Sequence, residues 1–112
     1  MGSAANRPCI LYVEDHIATS EMVTDMLSDC QVKVAHSVVA GVELATDECF
    51  DLYLTDYQLP DGNGLDFCRQ ARAFDPVTPI ILVSASRSIS LQHTMAGGAQ
   101  HFIRKGWGYT EE

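Results

Sequence analysis

The chain has 112 residues, 46% of them hydrophobic, and a formal net charge of −8. This length suits one domain with a single core. The acidic charge argues against binding nucleic acid through this domain, which would need a basic face. No apolar run approaches the roughly 20 residues of a membrane span, and residues 1–8 lack the pattern of a secretory signal. We expect a cytoplasmic domain over residues 9–112, preceded by a disordered segment over residues 1–8.

The four cysteines are widely spaced and form no Cys-x-x-Cys motif; they are Cys9, Cys30, Cys49 and Cys68. Each lies in or beside an apolar segment, as small buried thiols do. This placement favours free thiols in a reducing compartment over two disulfides in a secreted protein.

The first strand and helix are predicted from a change in hydrophobic periodicity. Residues 9–13 form a continuous apolar run typical of a parallel strand covered on both faces. From His16 to Asp29 the period becomes helical, and Asp15 is the predicted N-cap. The apolar positions expected on one face of this helix are Ile17, Met22, Val23, Met26 and Leu27.

A second strand, a second helix and a third strand follow at short spacing. Residues 31–36 alternate as a strand does, and Ser37 is the predicted cap of the next helix. Residues 51–55 form the third strand, and the segment from Pro60 to Gly62 breaks the chain into a turn. The apolar positions at helical spacing in the second helix are Val38, Val42 and Ala45.

The second half of the chain continues the alternation. A third helix is expected up to Asp75, because the residue before a proline avoids helical geometry; its apolar positions are Leu65, Cys68, Ala71 and Phe74. Residues 79–84 form the clearest buried strand, residues 86–96 a weaker helix, and residues 101–104 a last strand. This order predicts an α/β fold, a doubly wound five-stranded parallel sheet with four helices.

Polar residues follow several of the predicted strands, namely Glu14, Asp15, Asp56, Ser84 and Lys105. All strands of a parallel sheet end at one edge, where open α/β sheets bind ligands. Carboxylates packed there repel one another, and a divalent cation would remove that conflict. Oxygen ligands in a half-open site suit Mg²⁺. With a lysine charge and a serine hydroxyl, the set matches the needs of phosphoryl transfer to an aspartate.

At this point the sequence resembles the receiver domain of two-component response regulators, from residue 10 to residue 105. Each motif is weak alone, but five in this order and spacing are specific. The motifs are Val13-Glu14-Asp15, Leu54-Thr55-Asp56, Leu59-Pro60-Asp61-Gly62-Asn63-Gly64, Val83-Ser84-Ala85 and Gly98-Ala99-Gln100-His101-Phe102-Ile103-Arg104-Lys105. The resemblance implies a flavodoxin-like receiver fold.

The resemblance also implies roles for individual residues in a two-component system or phosphorelay. Asp56 is the implied phosphoacceptor, phosphorylated by a histidine kinase or a histidine phosphotransfer protein in an Mg²⁺-dependent reaction. Asp15 and Asp56 are implied to bind Mg²⁺, Asp15 directly, with Glu14 acting largely through water and Gln58 binding through its backbone carbonyl. Such a domain is not an enzyme on an external substrate; it catalyses only its own aspartyl phosphorylation and dephosphorylation.

Three further positions match residues that respond to the phosphoryl group. Ser84 stands where the family has a threonine or serine whose hydroxyl moves towards the phosphoryl group. Lys105 stands where the family has its active-site lysine. Phe102 matches the aromatic residue that changes rotamer on activation. Phosphorylation is therefore expected to alter a partner-binding surface.

The chain departs from the family pattern after Lys105. Gly106 stands where the family usually has proline, and residues 106–112 are too few for the family's fifth helix. We expect that helix to be short or absent, which would leave an apolar patch. The predicted consequence is a homodimer through the last strand and the C-terminal tail, or a partner segment that supplies the missing helix. The alternative is a chain cut from a longer one.

The sequence leaves one alternative to the phosphorylation switch open and argues against two others. The same fold could serve as a receiver-like interaction module that is never phosphorylated. A phosphatase of the haloacid-dehalogenase type needs a second aspartate where Gln58 stands, and a dinucleotide loop needs a glycine where Phe67 stands. The four histidines lack metal-ligand spacing and are expected to be ordinary surface or partly buried residues; they are His16, His36, His93 and His101.

Overall fold

The computed structural model of the protein describes residues 7–84, 99 and 101–104, and of Ser84 and residues 101–104 it describes the backbone. Within these residues the strands are β1 (Cys9–Val13), β2 (Gln31–Ala35), β3 (Leu52–Asp56), β4 (Gln58–Leu59), β5 (Gly62–Asn63), β6 (Ile80–Ser84) and β7 (His101–Arg104). The helices are α1 (Ile17–Met26), α2 (Val38–Asp47) and α3 (Gly64–Arg72).

One parallel sheet organises the described residues, with its strands in the order β2, β1, β3, β6, β7. β4 and β5 form a short antiparallel hairpin of their own. The strand order reverses at β1, and Val13 at its carboxyl end pairs with Ala35 on one side and Thr55 on the other. Ligands of open α/β sheets bind beyond the strand ends at such a point. The predicted doubly wound α/β fold is confirmed.

Alternate residues of the central strands face opposite sides of the sheet, so each strand contributes to two cores. The side covered by α2 and α3 has the larger cluster, which includes Leu11, Val13, Tyr53, Phe67 and Leu82. The side covered by α1 has a smaller cluster of Ile10, Tyr12, Val23, Leu54 and Val83. Continuous apolar strands are required because both faces are buried.

Helix α1 differs from its prediction in its cap and in its buried face. Its N-cap is His16, whose Nδ1 accepts a hydrogen bond from the Thr19 backbone, so the prediction of Asp15 as the cap is wrong. Val23 is buried as expected, but Ile17 is 53% exposed and Met26 is 64% exposed. Most of the predicted apolar face of α1 therefore does not lie in the core.

The other two helices follow their predictions more closely. Ser37 caps α2 as expected, accepting a hydrogen bond from the Ala40 backbone over 3.1 Å. α3 begins with a capping box between Asn63 and Asp66. It ends at Arg72, so Phe74, predicted as part of its buried face, lies beyond the helix and is 44% exposed.

Several predictions concern residues outside the described part of the chain. These are the N-terminal segment up to residue 6, the helix over residues 86–96, and the tail from residue 105 with its shortened fifth helix. All four cysteines are free thiols. Within the described residues, no helix combines the length and apolar character needed to cross a membrane.

Candidate functional site

Three carboxylates converge at the carboxyl edge of the sheet. Glu14 and Asp15 follow β1, and Asp56 ends the neighbouring β3. One carboxylate oxygen from each residue lies within 4.8 Å of the other two. Glu14 and Asp56 are buried, with 1% and 8% of their surface exposed, whereas Asp15 is exposed. The geometry therefore concentrates negative charge at the strand ends, as predicted.

Glu14 is held by hydrogen bonds to both of its carboxylate oxygens. The Tyr12 hydroxyl donates to Oε1 over 2.9 Å, and the His16 backbone N–H donates to Oε2 over 3.2 Å. The Glu14 backbone is fixed as well, because its N–H donates to the Ala35 carbonyl and its carbonyl lies 3.0 Å from Nδ1 of His36. These contacts offset the cost of burying the Glu14 carboxylate and fix its orientation.

Asp56 is positioned by the close approach of α3. The Thr55 hydroxyl donates to the Asp56 backbone carbonyl over 2.9 Å. The first residue of α3, Gly64, packs so closely that a Cβ atom there would overlap the same carbonyl and would lie 2.5 Å from Cδ1 of Leu82. The Gly64 N–H also donates to the Tyr57 carbonyl over 2.7 Å. Only glycine fits this contact without displacing the backbone of Asp56.

The loop after Asp56 is tied to a different helix through Asp61. Its two carboxylate oxygens accept hydrogen bonds from the backbone N–H groups of Val38 and Val39, over 2.8 and 3.0 Å. These are the first two amides of α2, which have no partner within the helix. These hydrogen bonds hold the pKa of Asp61 below its usual value, and the bond from Val38 has the largest effect. Asp61 thus connects the loop beside Asp56 to the start of α2.

The donor set fits a small divalent cation. Mg²⁺ takes oxygen ligands at 2.0–2.1 Å, so oxygens on opposite sides of the ion are about 4.2 Å apart. The upper limit of 4.8 Å on the separations among the three carboxylate oxygens is compatible with that span. Asp15 and Asp56 would hold the ion, and Glu14, already hydrogen-bonded at both oxygens, would contact it through water.

For the remaining predicted site residues the structure gives the backbone position, or the residue lies outside the described part of the chain. Ser84 ends β6, one residue beyond Val83, which pairs with Asp56. Phe102 lies in β7 opposite Leu82. Gln58 begins the β4–β5 hairpin two residues after Asp56, but the position of its carbonyl relative to the carboxylates stays a prediction. Lys105 lies outside the described residues.

Sequence reasoning overlooked Tyr12, Asp61 and the cap formed by His16. A signal for Tyr12 exists, because residues two apart in a strand face the same side and a buried tyrosine hydroxyl needs a partner. Glu14 stands two residues after Tyr12 and provides that partner. The contact of Asp61 spans 23 residues in sequence and has no local signal.

A doubly wound sheet with an acidic cluster beyond two adjacent strands, two of its three carboxylates buried, is typical of a class of small signalling domains. The family model described as response regulator receiver domain matches residues 10–111. The chain therefore belongs to the response regulator receiver domain family, and the resemblance found in the sequence is confirmed.

Three proteins illustrate the similarity. The chain is 33% identical over 107 residues to the probable transcriptional regulatory protein SilR of Salmonella typhimurium, covering 91% of this chain and 46% of SilR. It is 34% identical over 99 residues to the cell cycle transcriptional regulator CtrA of Caulobacter vibrioides, covering 86% and 43%. The chemotaxis response regulator CheY4 of Vibrio cholerae superposes with a TM-score of 0.84 at 25% identity, covering 91% of this chain and 89% of CheY4. The chain spans less than half the length of the two curated relatives.

Proposed function

We propose that the protein is a phosphorylation-dependent signalling switch whose phosphoacceptor is Asp56. The observation that carries the proposal is the convergence of Glu14, Asp15 and Asp56 within 4.8 Å at the carboxyl edge of the sheet. An aspartate at this position can attack a phosphoryl group, while its acidic neighbours hold the cation that the transfer needs.

The placement of these groups supports the following reaction. An Asp56 carboxylate oxygen attacks the phosphorus of a phosphohistidine on a partner kinase or phosphotransfer protein. The bond from phosphorus to the imidazole nitrogen breaks, and the imidazole leaves with the electron pair and takes up a proton. Bound Mg²⁺ supplies positive charge that offsets the negative charge of the phosphoryl oxygens. The hydrogen bonds from Tyr12 and His16 keep Glu14 oriented towards the same site.

The remaining family roles complete the proposal. Ser84 would donate its hydroxyl to the transferred phosphoryl group, and Lys105 would add a positive charge. Movement of Ser84 towards that group would open space for Phe102 and so change the partner-binding surface. The pairing of β6 with β7 supports this coupling, since Phe102 stands opposite Leu82, two residues before Ser84.

A small acyl-phosphate donor with Mg²⁺ tests the acceptor directly. We expect intact-mass measurement to detect one added phosphoryl group that hydroxylamine removes. Asp56→Asn should not be labelled at residue 56, and Asp29→Asn, a change at an exposed carboxylate, should be labelled like the wild type. Labelling of Asp56→Asn at another residue would overturn the assignment. A wild type that no donor labels would instead indicate an unphosphorylated interaction module.

The cellular context extends this proposal. We place the protein in the cytoplasm, with a histidine kinase or phosphotransfer protein as its partner and no nucleic-acid contact through this domain. Self-association through β7 and the C-terminal tail stays a prediction, and the edge position of β7 among the described strands is compatible with it. Sedimentation at micromolar concentration checks it; a monomer that binds no apolar dye would contradict it.

A further inference from the structure

A second concave region lies at the amino edge of the sheet, on the side opposite the acidic site. It is a cavity of about 400 Å³ between the end of α2 and the segment that joins α3 to β6. Three aromatic side chains line it, from Phe50, Tyr53 and Phe74. Its volume falls within the range of pockets that bind small molecules, about 300–1,000 Å³.

The wall of this cavity is held in place by a hydrogen-bonded group around Asp75. The Tyr53 hydroxyl and the Thr78 hydroxyl donate to Asp75 Oδ2 over 2.8 and 2.6 Å. The backbone N–H groups of Val77 and Thr78 donate to Oδ1. The Phe50 ring packs against Tyr53 with centroids 6.2 Å apart. The cavity is therefore formed before any ligand arrives, which lowers the cost of binding.

The charge around the cavity is negative. Asp47, Glu48 and Asp75 line it, and the described lining residues include no lysine, arginine or histidine. α2 ends here with Asp47 and no basic residue in its last turn. The carboxyl end of a helix is its negative end, so acidic residues placed there add to the negative potential. Lys33 pairs with Glu48 over 2.6 Å and offsets one of these charges. The Arg72 guanidinium, which donates to the Asp75 backbone carbonyl over 3.0 Å, lies beside a second, so Asp47 is the carboxylate left to attract a ligand.

Aromatic rings near the exposed carboxylate of Asp47 favour a particular ligand chemistry. A cation on an apolar stem can stack on an exposed ring while its charge faces the carboxylates. Phe74 offers such a ring, since it is 44% exposed at the cavity. Asp47, at the exposed end of α2, offers the carboxylate.

We propose that this cavity binds an organic cation, a guanidinium or ammonium group on a short apolar stem. The ligand is either a free amine or an arginine side chain presented by a partner protein, since both have this chemistry. The site is separate from the carboxylates around Asp56, so the proposal stands whether or not Asp56 is phosphorylated.

Nuclear magnetic resonance titration of the full chain tests the site with four probes. Phenethylamine represents the free amine, and a doubly blocked Gly-Arg-Gly tripeptide represents the partner side chain. Phenethyl alcohol and the matching citrulline tripeptide are their neutral counterparts. We expect at least one cation to shift the amides of residues 45–50, 74, 75, 77 and 78 with about tenfold higher affinity than its neutral counterpart. The tighter cation identifies the source, and absent shifts or equal affinity for the neutral probes would overturn the proposal.

Matched variants locate the binding groups. Phe74→Ala removes the exposed ring, and Asp47→Asn removes the carboxylate; each should weaken cation binding about fivefold or more. Asp47→Asn also removes a negative charge from the negative end of α2, so the fold should not suffer. The controls are Val39→Ala and Asp29→Asn, which alter exposed residues outside the cavity. Wild-type affinity in both Phe74→Ala and Asp47→Asn would overturn the assignment.

Cys49 provides an independent reporter, because its exposed thiol lines the cavity. Replacing Cys9 and Cys30 by serine leaves two cysteines, Cys49 and Cys68. Cys68 should not react, because it is buried and burial raises its pKa to about 12. A cationic methanethiosulfonate should then modify Cys49 faster than a neutral one of similar size, and the bound cation should slow both. Equal rates for the two reagents would contradict a cation-attracting cavity.

Discussion

Two buried tyrosines, one on each face of the sheet, donate their hydroxyls to carboxylates at opposite edges. Tyr12 donates to Glu14 over 2.9 Å at the carboxyl edge, and Tyr53 donates to Asp75 over 2.8 Å at the amino edge. Both rings are almost completely buried, at 0% and 1% exposure. The two pairs have the same chemistry, yet their surroundings give them different tasks.

The charge of Asp75 is stabilised by hydrogen bonds from neighbouring residues. Hydrogen bonds hold the pKa of Asp75 well below its usual range, and the bond from the Thr78 hydroxyl has the largest effect. Burial, followed by the hydrogen bond to Asp75, raises the pKa of Tyr53 above its usual value. Glu14 instead lies within 4.8 Å of two further carboxylates, Asp15 and Asp56. One pair secures a loop, and the other keeps negative charge concentrated where a cation can bind.

The largest effect is expected from Asp75→Ala. This change removes the acceptor of four hydrogen bonds and leaves the buried hydroxyl of Tyr53 without its acceptor, so the free energy of unfolding should fall by about 3 kcal/mol. Denaturant titration measures it. Asp29→Ala, at an exposed position, is the control and should change the free energy by less than about 0.5 kcal/mol. A loss below about 1 kcal/mol in Asp75→Ala would show that the pair does not secure the loop.

The same pair predicts a pH dependence. Because the pKa of Asp75 is lower in the folded chain than its unfolded value near 3.9, its contribution is complete above about pH 5 and is lost as the pH falls below about 4. Asp75→Asn should be less stable than the wild type by about 2 kcal/mol at pH 7, and the difference should shrink at pH 3. A constant difference over this range would contradict the assignment.

At the carboxyl edge, removing a carboxylate charge should raise the free energy of unfolding, whereas the changes at Asp75 should lower it. Asp15→Asn relieves repulsion among three carboxylates and should stabilise the Mg²⁺-free protein by up to about 1 kcal/mol. Addition of 10 mM Mg²⁺ should stabilise the wild type by about 1–2 kcal/mol if the dissociation constant is near 1 mM, and Asp15→Asn should lose this gain. Thermal unfolding with and without Mg²⁺ measures both effects. A variant that is destabilised without Mg²⁺ and keeps the full gain would remove the contrast between the edges.

The smallest effect separates the two tyrosines. Tyr12→Phe and Tyr53→Phe each remove one hydroxyl and should each cost about 1 kcal/mol of stability. Because the Tyr12 hydroxyl orients Glu14, Tyr12→Phe should also weaken Mg²⁺ binding about threefold, whereas Tyr53→Phe should leave it unchanged. Calorimetric titration with Mg²⁺ compares them. Equal Mg²⁺ affinity in both variants would reduce Tyr12 to a core residue.

Local patterns predicted the elements whose boundaries depend on neighbouring residues. The apolar run of β1 and the Ser37 cap of α2 are both present. The strand-end position of the acidic residues was also predictable, because the parallel sheet carries Glu14, Asp15 and Asp56 to one edge.

Features that depend on distant contacts could not be predicted in this way. Ile17 and Met26 fall at helical spacing, but spacing does not say how α1 lies on the sheet, and both are exposed. Asp15 and His16 are adjacent and each could cap α1, so the backbone path after β1 decides between them. Phe74 has the right period for α3 but lies after the helix has ended.

The hydrogen bonds of Asp61 have a consequence for the order in which the chain folds. The first amides of α2 find their acceptor 23 residues later in the chain. During synthesis, α2 therefore emerges with the N–H groups of Val38 and Val39 exposed to water, and its first turn is completed when the β3–α3 loop has formed. In the folded protein these two amides should exchange their hydrogens at the rate at which that loop opens. We therefore expect the start of α2 and this loop to open together as one cooperative unit, although they are separate elements in the sequence.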